Sequence, residues 1–126
     1  METRETIIKN YIEGYNSFDI DKMTADIDEN IKFENISGGN VTDYLNGKSA
    51  FIHQAEQAKT FFLSRFQKIT SISHNQYNSE ITIEYEAVLA VDVSESLKTG
   101  DKIKLEGKSI FEFSPQNTII TLKDIS

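Results

Sequence analysis

An α+β fold, with helices gathered in the first half of the chain and an antiparallel sheet behind them, is what the sequence predicts. Apolar residues at helical spacing fill the opening stretch and return at residues 49–65, whereas strict alternation runs through residues 81–93 and 103–113. The chain has 126 residues, one proline, six glycines and no cysteine, which is room for a single domain over residues 1–126 and not for a second.

Each element follows in order. Ile7, Ile8, Tyr11, Ile12 and Tyr15 form one stripe with Arg4, Lys9, Asn10 and Glu13 opposite, predicting a first helix whose buried face is rich in tyrosine. Asp19 is placed to cap a second, short helix carrying Ile20, Met23 and Ile27, which Asp28-Glu29-Asn30 ends. Residues 31–36 alternate, Ile31, Phe33 and Asn35 on one face and Lys32, Glu34 and Ile36 on the other, so a strand is expected there. Ser37-Gly38-Gly39-Asn40 is a turn, residues 41–45 form a short return strand, and Asn46-Gly47 closes it. Phe51, Ala55, Ala58 and Phe62 predict a third helix from Ser49 to about Arg65.

Strands fill the rest. Phe66–Ile72 reads as one, ending in the polar stretch His74–Ser79. In residues 81–93 the odd positions from Ile81 to Val93 face inward. A loop at Ser94–Gly100 leads to a strand with Ile103, Leu105, Gly107, Ser109, Phe111 and Phe113 inward, and Pro115-Gln116-Asn117 turns the chain into a last strand, Thr118–Ile125. Pairing the two long strands with Val91 opposite Ile103 sets Asp92 beside Lys102, Glu86 beside Lys108, Tyr85 opposite Ser109 and Ala87 opposite Gly107, whereas a shift of two brings Glu84 against Glu112. The first register is the expectation.

Charge and composition exclude several functions. Thirteen basic against twenty acidic residues give a net charge of −7, the wrong sign for a nucleic-acid surface. Without cysteine there is no thiolate metal site, iron–sulfur cluster or thiol nucleophile. Met1-Glu2-Thr3-Arg4-Glu5 is too charged to begin a secretory signal and no apolar run has the length of a membrane helix, so a cytoplasmic protein with no membrane partner is expected. Asp19-Ile20-Asp21 and Asp26-Ile27-Asp28-Glu29 lack the ligand count and glycine placement of a calcium loop; no metal and no cofactor are expected.

Ile7-Ile8-Lys9-Asn10-Tyr11-Ile12, Phe18-Asp19-Ile20-Asp21-Lys22-Met23, Gly47-Lys48-Ser49-Ala50-Phe51-Ile52 and Ser109-Ile110-Phe111-Glu112-Phe113 stand in the order found in the nuclear transport factor 2-like superfamily. Within it, the chain resembles the SnoaL-like polyketide cyclase and ketosteroid isomerase branch. The resemblance implies a cone-shaped, cystatin-like domain in which a curved antiparallel sheet and the helices enclose an apolar pocket, and a homodimer packed through the outer sheet faces. Ketosteroid isomerases pair a first-helix tyrosine with an aspartate base and a second acid. Here those places fall on Tyr11, Asn35 and Ser109, and an amide cannot take a carbon-bound proton, so the isomerase mechanism is not expected. Epoxide-hydrolase-like sites need an arginine between two aspartates, whereas the arginines of this chain are Arg4 and Arg65, the latter predicted at a helix end. Dehydratase-like sites use paired histidines, but His53 is expected to face water and His74 to begin a polar turn. SnoaL-like cyclases use one aspartate as acid and base, for which Asp124 is the nearest candidate.

The function expected is binding of a small hydrophobic or aromatic molecule in a pocket lined by Tyr11, Tyr15, Phe33, Asn35, Tyr85 and Ser109. The tyrosines offer hydroxyls to a ligand carbonyl, or serve as core aromatics. Asn35 either bonds a ligand or closes a local turn, and Ser109 either adds polarity to the wall or makes room beside Tyr85. Asp43 and Tyr44 on the return strand would overhang the mouth. One alternative is a cofactor-free enzyme of the cyclase, isomerase or dehydratase type with Tyr11 as donor and Asp43 or Asp124 as base; a second is a non-catalytic dimerisation module.

Overall fold

The computed structural model describes residues 2–126, with side chains from Thr3 onward; Met1, the first residue of the charged start, lies outside the described residues. The tyrosine-rich stripe forms α1 (Glu2–Asn16), which buries Ile7, Ile8, Tyr11 and Ile12. Phe18, with φ of 59°, reverses the chain, and the Asp19 carboxylate then accepts from the Lys22 amide at 3.0 Å to cap α2 (Ile20–Thr24). The two helices meet at Gly14, where a Cβ would lie 2.4 Å from the Met23 nitrogen, so only glycine admits this approach.

β1 (Ile27–Ser37) begins four residues earlier than its alternation suggests. Ile27, which reads as a helical position, is instead buried beside Ile119 of the last strand, and the Ile119 amide donates to the Asp26 carbonyl at 2.8 Å. Gly38 and Gly39, both at positive φ, turn the chain into β2 (Asn40–Asn46). α3 covers Lys48–Ala58 and, after a single 3-10 turn at Lys59–Phe61, β3 (Phe62–His74) starts. The predicted continuation of the helix to Arg65 is therefore corrected. Phe62 continues the three- and four-residue spacing of the stripe, but the far end of β4 (Asn78–Leu89) needs a partner, and residues 62–65 supply it with Phe62 opposite Leu89 and Arg65 opposite Ala87.

β5 (Lys102–Phe113) and β6 (Ile119–Ile125) complete a six-stranded curved sheet in the order β2-β1-β6-β5-β4-β3, antiparallel except for the parallel β1–β6 pair. The β4–β5 register differs from the expected one by four residues: Ala87 faces Ile103, Tyr85 faces Leu105 and Ile81 faces Ser109. Inward residues still meet inward residues. The cause is the loop, which takes up Val91 and Val93; it is closed by Gly100 at φ 89°, whose amide donates to the Leu89 carbonyl at 2.8 Å, while the Asp92 carboxylate accepts from the Thr99 amide and hydroxyl. Glu86 then pairs with Lys102 and Lys104, Lys108 with Glu80, and Glu84 stands opposite Glu106. That like-charge pair is exposed, and Glu84 faces Lys68 on its other side.

The core lies between the concave sheet face and the helices. Ile8, Ile31, Ile81, Phe111, Ile119 and Leu122 are shut off from solvent, with Tyr11 edge-on to Phe111 at 5.7 Å and Phe33 edge-on to Phe51 at 5.5 Å. No helix among the described residues is long and apolar enough to cross a membrane.

Candidate functional site

Packing is incomplete around Tyr15 and Asp124, which line two half-open hollows. The first, about 110 Å³, lies under α1 and α3 and is walled by Tyr11, Tyr15, Met23, Phe33, Phe51, Arg65 and Asp124, among others. The second, about 260 Å³, has Tyr15, Asn35, Gln67, Tyr85, Ser109 and Asp124 on its walls. The six residues expected from the sequence thus divide between the two, with Tyr15 in both. Larger grooves, of about 510 and 480 Å³, carry charged side chains that the strand alternation turns to the outer sheet face, such as Lys68, Glu84, Lys104 and Glu106. Their charges stay hydrated, so the chemistry belongs to the inner hollows, where polar groups are desolvated.

Strand pairing assembles the polar part of the site. Asp124 on β6 lies between Asn35 of β1 and Ser109 of β5, which makes one polar row across three neighbouring strands. The Ser109 hydroxyl donates to Asp124 Oδ1 at 2.7 Å. Burial raises the Asp124 carboxyl from 3.8 to about 6, against the smaller lowering effect of the Ser109 bond. Asn35 is turned sideways, donating through Nδ2 to the Thr42 hydroxyl at 2.8 Å, so it ties the hairpin while lining the hollow.

The tyrosines remain neutral hydrogen-bonding groups. Burial, and after it the charge of Asp124, pushes the Tyr11 phenol well above its ordinary value, and its hydroxyl has no hydrogen-bond partner among the described residues. Tyr15 and Tyr85 share a bond between their hydroxyls at 2.9 Å, and burial raises both.

Arg65 is the residue that sequence reasoning misplaced. On β3 it points inward and is only 5% exposed; its Nε donates to the Tyr15 carbonyl at 2.8 Å, and its guanidinium lies 3.8 Å from the Tyr15 ring centre and 4.5 Å from that of Phe18. Its Nη2 is buried with no acceptor. The signal that finds it is the alternation Arg65, Gln67, Ile69, which continues the inward face of β3 across from Ala87, Tyr85 and Ile83.

Asp43 does not reach the site. β2 pairs on one side only, its residues Asn40–Tyr44 are exposed, and neither Asp43 nor Tyr44 lines either hollow, which corrects their expected overhang of the mouth. His53 is exposed on α3. His74, expected to begin a polar turn, is the last residue of β3 and half-buried: its Nδ1 shares a 2.6 Å bond with the Ser79 hydroxyl and its Nε2 is enclosed without a partner, so burial lowers its pKa. It lines neither hollow.

No protein-family model matches the chain, and no curated protein matches it in sequence. Its structure does have likenesses. A candidate polyketide cyclase from Xanthomonas campestris pv. campestris superposes with a TM-score of 0.83 at 16% identity, covering 99% of this chain and 90% of that one. A candidate SnoaL-like polyketide cyclase from Shewanella denitrificans gives 0.77 at 13% identity, covering 97% and 88%. The chain thus shares its fold with proteins described as SnoaL-like and nuclear transport factor 2-like. An epoxide hydrolase of the LEH-like type from M. tuberculosis shares it, with a TM-score of 0.77 at 11% identity over 98% of this chain and 82% of the other. One cone therefore carries different activities, and those activities must be read from side chains.

Proposed function

We propose that the inner hollows bind a small hydrophobic or aromatic carbonyl compound and that Asp124 moves a proton on it, without a cofactor, in a reaction of the cyclase or isomerase type. The observation that carries this reading is an inward carboxyl with a pKa of about 6 on the wall of the same hollow as the unpartnered Tyr11 hydroxyl. A carboxyl tuned to that range is largely ionised near neutrality yet basic enough to accept a proton. The ionised Asp124 takes a proton from the carbon next to the carbonyl, the electron pair moves onto the carbonyl oxygen, and the Tyr11 hydroxyl donates a hydrogen bond to the resulting enolate. Asp124 returns the proton to the far carbon of a conjugated enolate, or the enolate carbon adds to a second carbonyl of the same molecule, whose π electrons move onto its oxygen, and Asp124 gives the proton to that oxygen. Ser109 holds Asp124 in place. This assigns the base role of the fold to β6, at a position adjoining the one where Asn35 stands in β1.

Hydrogen–deuterium exchange into one- and two-ring aryl ketones in D2O tests the proposal. Wild-type protein should accelerate exchange by about 10²-fold or more over buffer, with the rate rising to a plateau above about pH 6. Asp124→Asn should abolish the acceleration, and Tyr11→Phe should lower it with little loss of stability. Exchange no faster with wild type than with Asp124→Asn would leave the domain a binder.

A further inference from the structure

Burying a guanidinium is costly unless its charge and its N–H groups are met, and at Arg65 they are met only in part. The Tyr15 carbonyl takes one N–H and the rings of Tyr15 and Phe18 lie against the cation, but both rings are neutral. None of the ion pairs among the described residues includes Arg65. Glu86, the acid on β4 nearest in register, is engaged on the outer face by Lys102 and Lys104. Asp124, the carboxylic acid that lines the hollow, accepts from Ser109 instead. In a chain of net charge −7, this one hollow holds a cation whose Nη2 has no acceptor.

We propose that Arg65 is an anion subsite and that the ligand is a small aromatic carboxylic acid, its carboxylate on the guanidinium and its ring among Met23, Phe33 and Phe51. The first hollow, about 110 Å³, is of the order of the engineered apolar cavities of about 150 Å³ that accept benzene, so it fits one ring. A carboxylate is favoured over a neutral carbonyl because charge-assisted bonds are about twice as strong. The two charged groups also fix orientation: an ionised Asp124 repels the carboxylate, which goes to Arg65, and the reacting part of the molecule is left beside Asp124 and Tyr11. The inference rests on the hollow being a ligand site, as proposed above, and not on Asp124 moving a proton.

Benzoate and its neutral analogue benzamide are the probes, titrated into the full chain at about pH 5, where Asp124 is mostly protonated and benzoate mostly ionised. The readout is the dissociation constant together with the side-chain N–H NMR signal of Arg65. Benzoate should bind at least about tenfold more tightly than benzamide and shift that signal. Arg65→Gln should bring the two probes within about twofold of each other. If Arg65→Gln fails to fold, Arg65→Lys keeps the charge and should keep a reduced preference for benzoate. Equal binding of the two probes, or a preference for benzoate that survives Arg65→Gln, overturns the proposal. Benzoate binding without ketone exchange refutes the proton-transfer reading and leaves the anion subsite standing; exchange without a benzoate preference does the reverse.

Discussion

Replacing Asp124 with asparagine should make the protein more stable at alkaline pH and leave it unchanged at acid pH. The carboxyl is raised from 3.8 to about 6 by burial, so the folded chain binds this proton more tightly than the unfolded chain does. Between those values the native state holds more protons than the unfolded state, and stability falls as pH rises through the window, levelling off once Asp124 is ionised in both. A shift of about two units at about 1.4 kcal/mol each gives about 3 kcal/mol of lost stability above pH 6, and the part of the side chain open to the hollows lowers this toward about 1 kcal/mol. Asparagine has nearly the same shape, offers an oxygen to the Ser109 hydroxyl and carries no charge. Urea unfolding followed by tyrosine fluorescence, suited to a chain without tryptophan, should therefore show the variant ahead by about 1–3 kcal/mol at about pH 8 and level with wild type near pH 4. All other titrating groups are common to the two proteins. A variant no more stable than wild type at pH 8, or one whose advantage is constant with pH, would refute the burial argument and with it the tuned base.

Further predictions concern the scaffold. Gly14→Ala places a methyl 2.4 Å from the Met23 nitrogen and 2.7 Å from its Cα, both backbone, and should cost about 3 kcal/mol in chemical unfolding, since neither helix can yield by a side-chain rotation. Tyr15→Phe removes one half of the hydroxyl pair with Tyr85 and should cost about 1 kcal/mol, whereas Tyr11→Phe removes a hydroxyl without a partner and should stay within about 0.5 kcal/mol of wild type. Glu106→Lys converts the like-charge pair with Glu84 into an attractive one and should raise the melting temperature by about 1–4 °C at low salt, an effect that Glu84→Gln should remove. No dependence on Glu84 would contradict the observed register.

Elements with a strong single period were legible in the sequence: the stripe of α1, the Asp19 cap, the paired glycines before β2, and the alternation of β4 and β5. The misreadings share a cause, which is that short-range spacing does not fix long-range partners. Phe62 keeps the spacing of α3, yet strand pairing with Leu89 decides its conformation. The hairpin register depended on how many residues the loop would consume, and Asp92, expected opposite Lys102, instead holds Thr99 within the loop. For Asp124 the two faces of β6 are too alike to orient it, since Thr121 and Ile125 stand on one side and Leu122 on the other. What orients it is the pairing with Ser109, a contact fifteen residues distant in the chain. The unusual polarity of Asn35 and Ser109 on otherwise apolar faces was visible, but the sequence could not show that both flank the same carboxyl.

Why Arg65 and Asp124 do not simply neutralise each other bears directly on what the hollow is for. Two opposite charges on the walls of one small apolar space would gain from pairing, and doing so would pull the Asp124 pKa below its ordinary value rather than up to about 6. Tyr15 offers a physical reason for their separation. Its carbonyl holds the Arg65 Nε, its ring lies against the guanidinium, and its hydroxyl is tied to Tyr85, so the cation is fixed on β3 while Asp124 is fixed by Ser109 on β6. Tyr15 is accordingly a positioning residue, a role outside the two expected of it, and its hydroxyl is engaged by Tyr85. A closed ion pair would have made a quieter core. Keeping the charges apart leaves an acid short of hydration and a cation short of an acceptor, each with a demand that a bound molecule of the right polarity would meet.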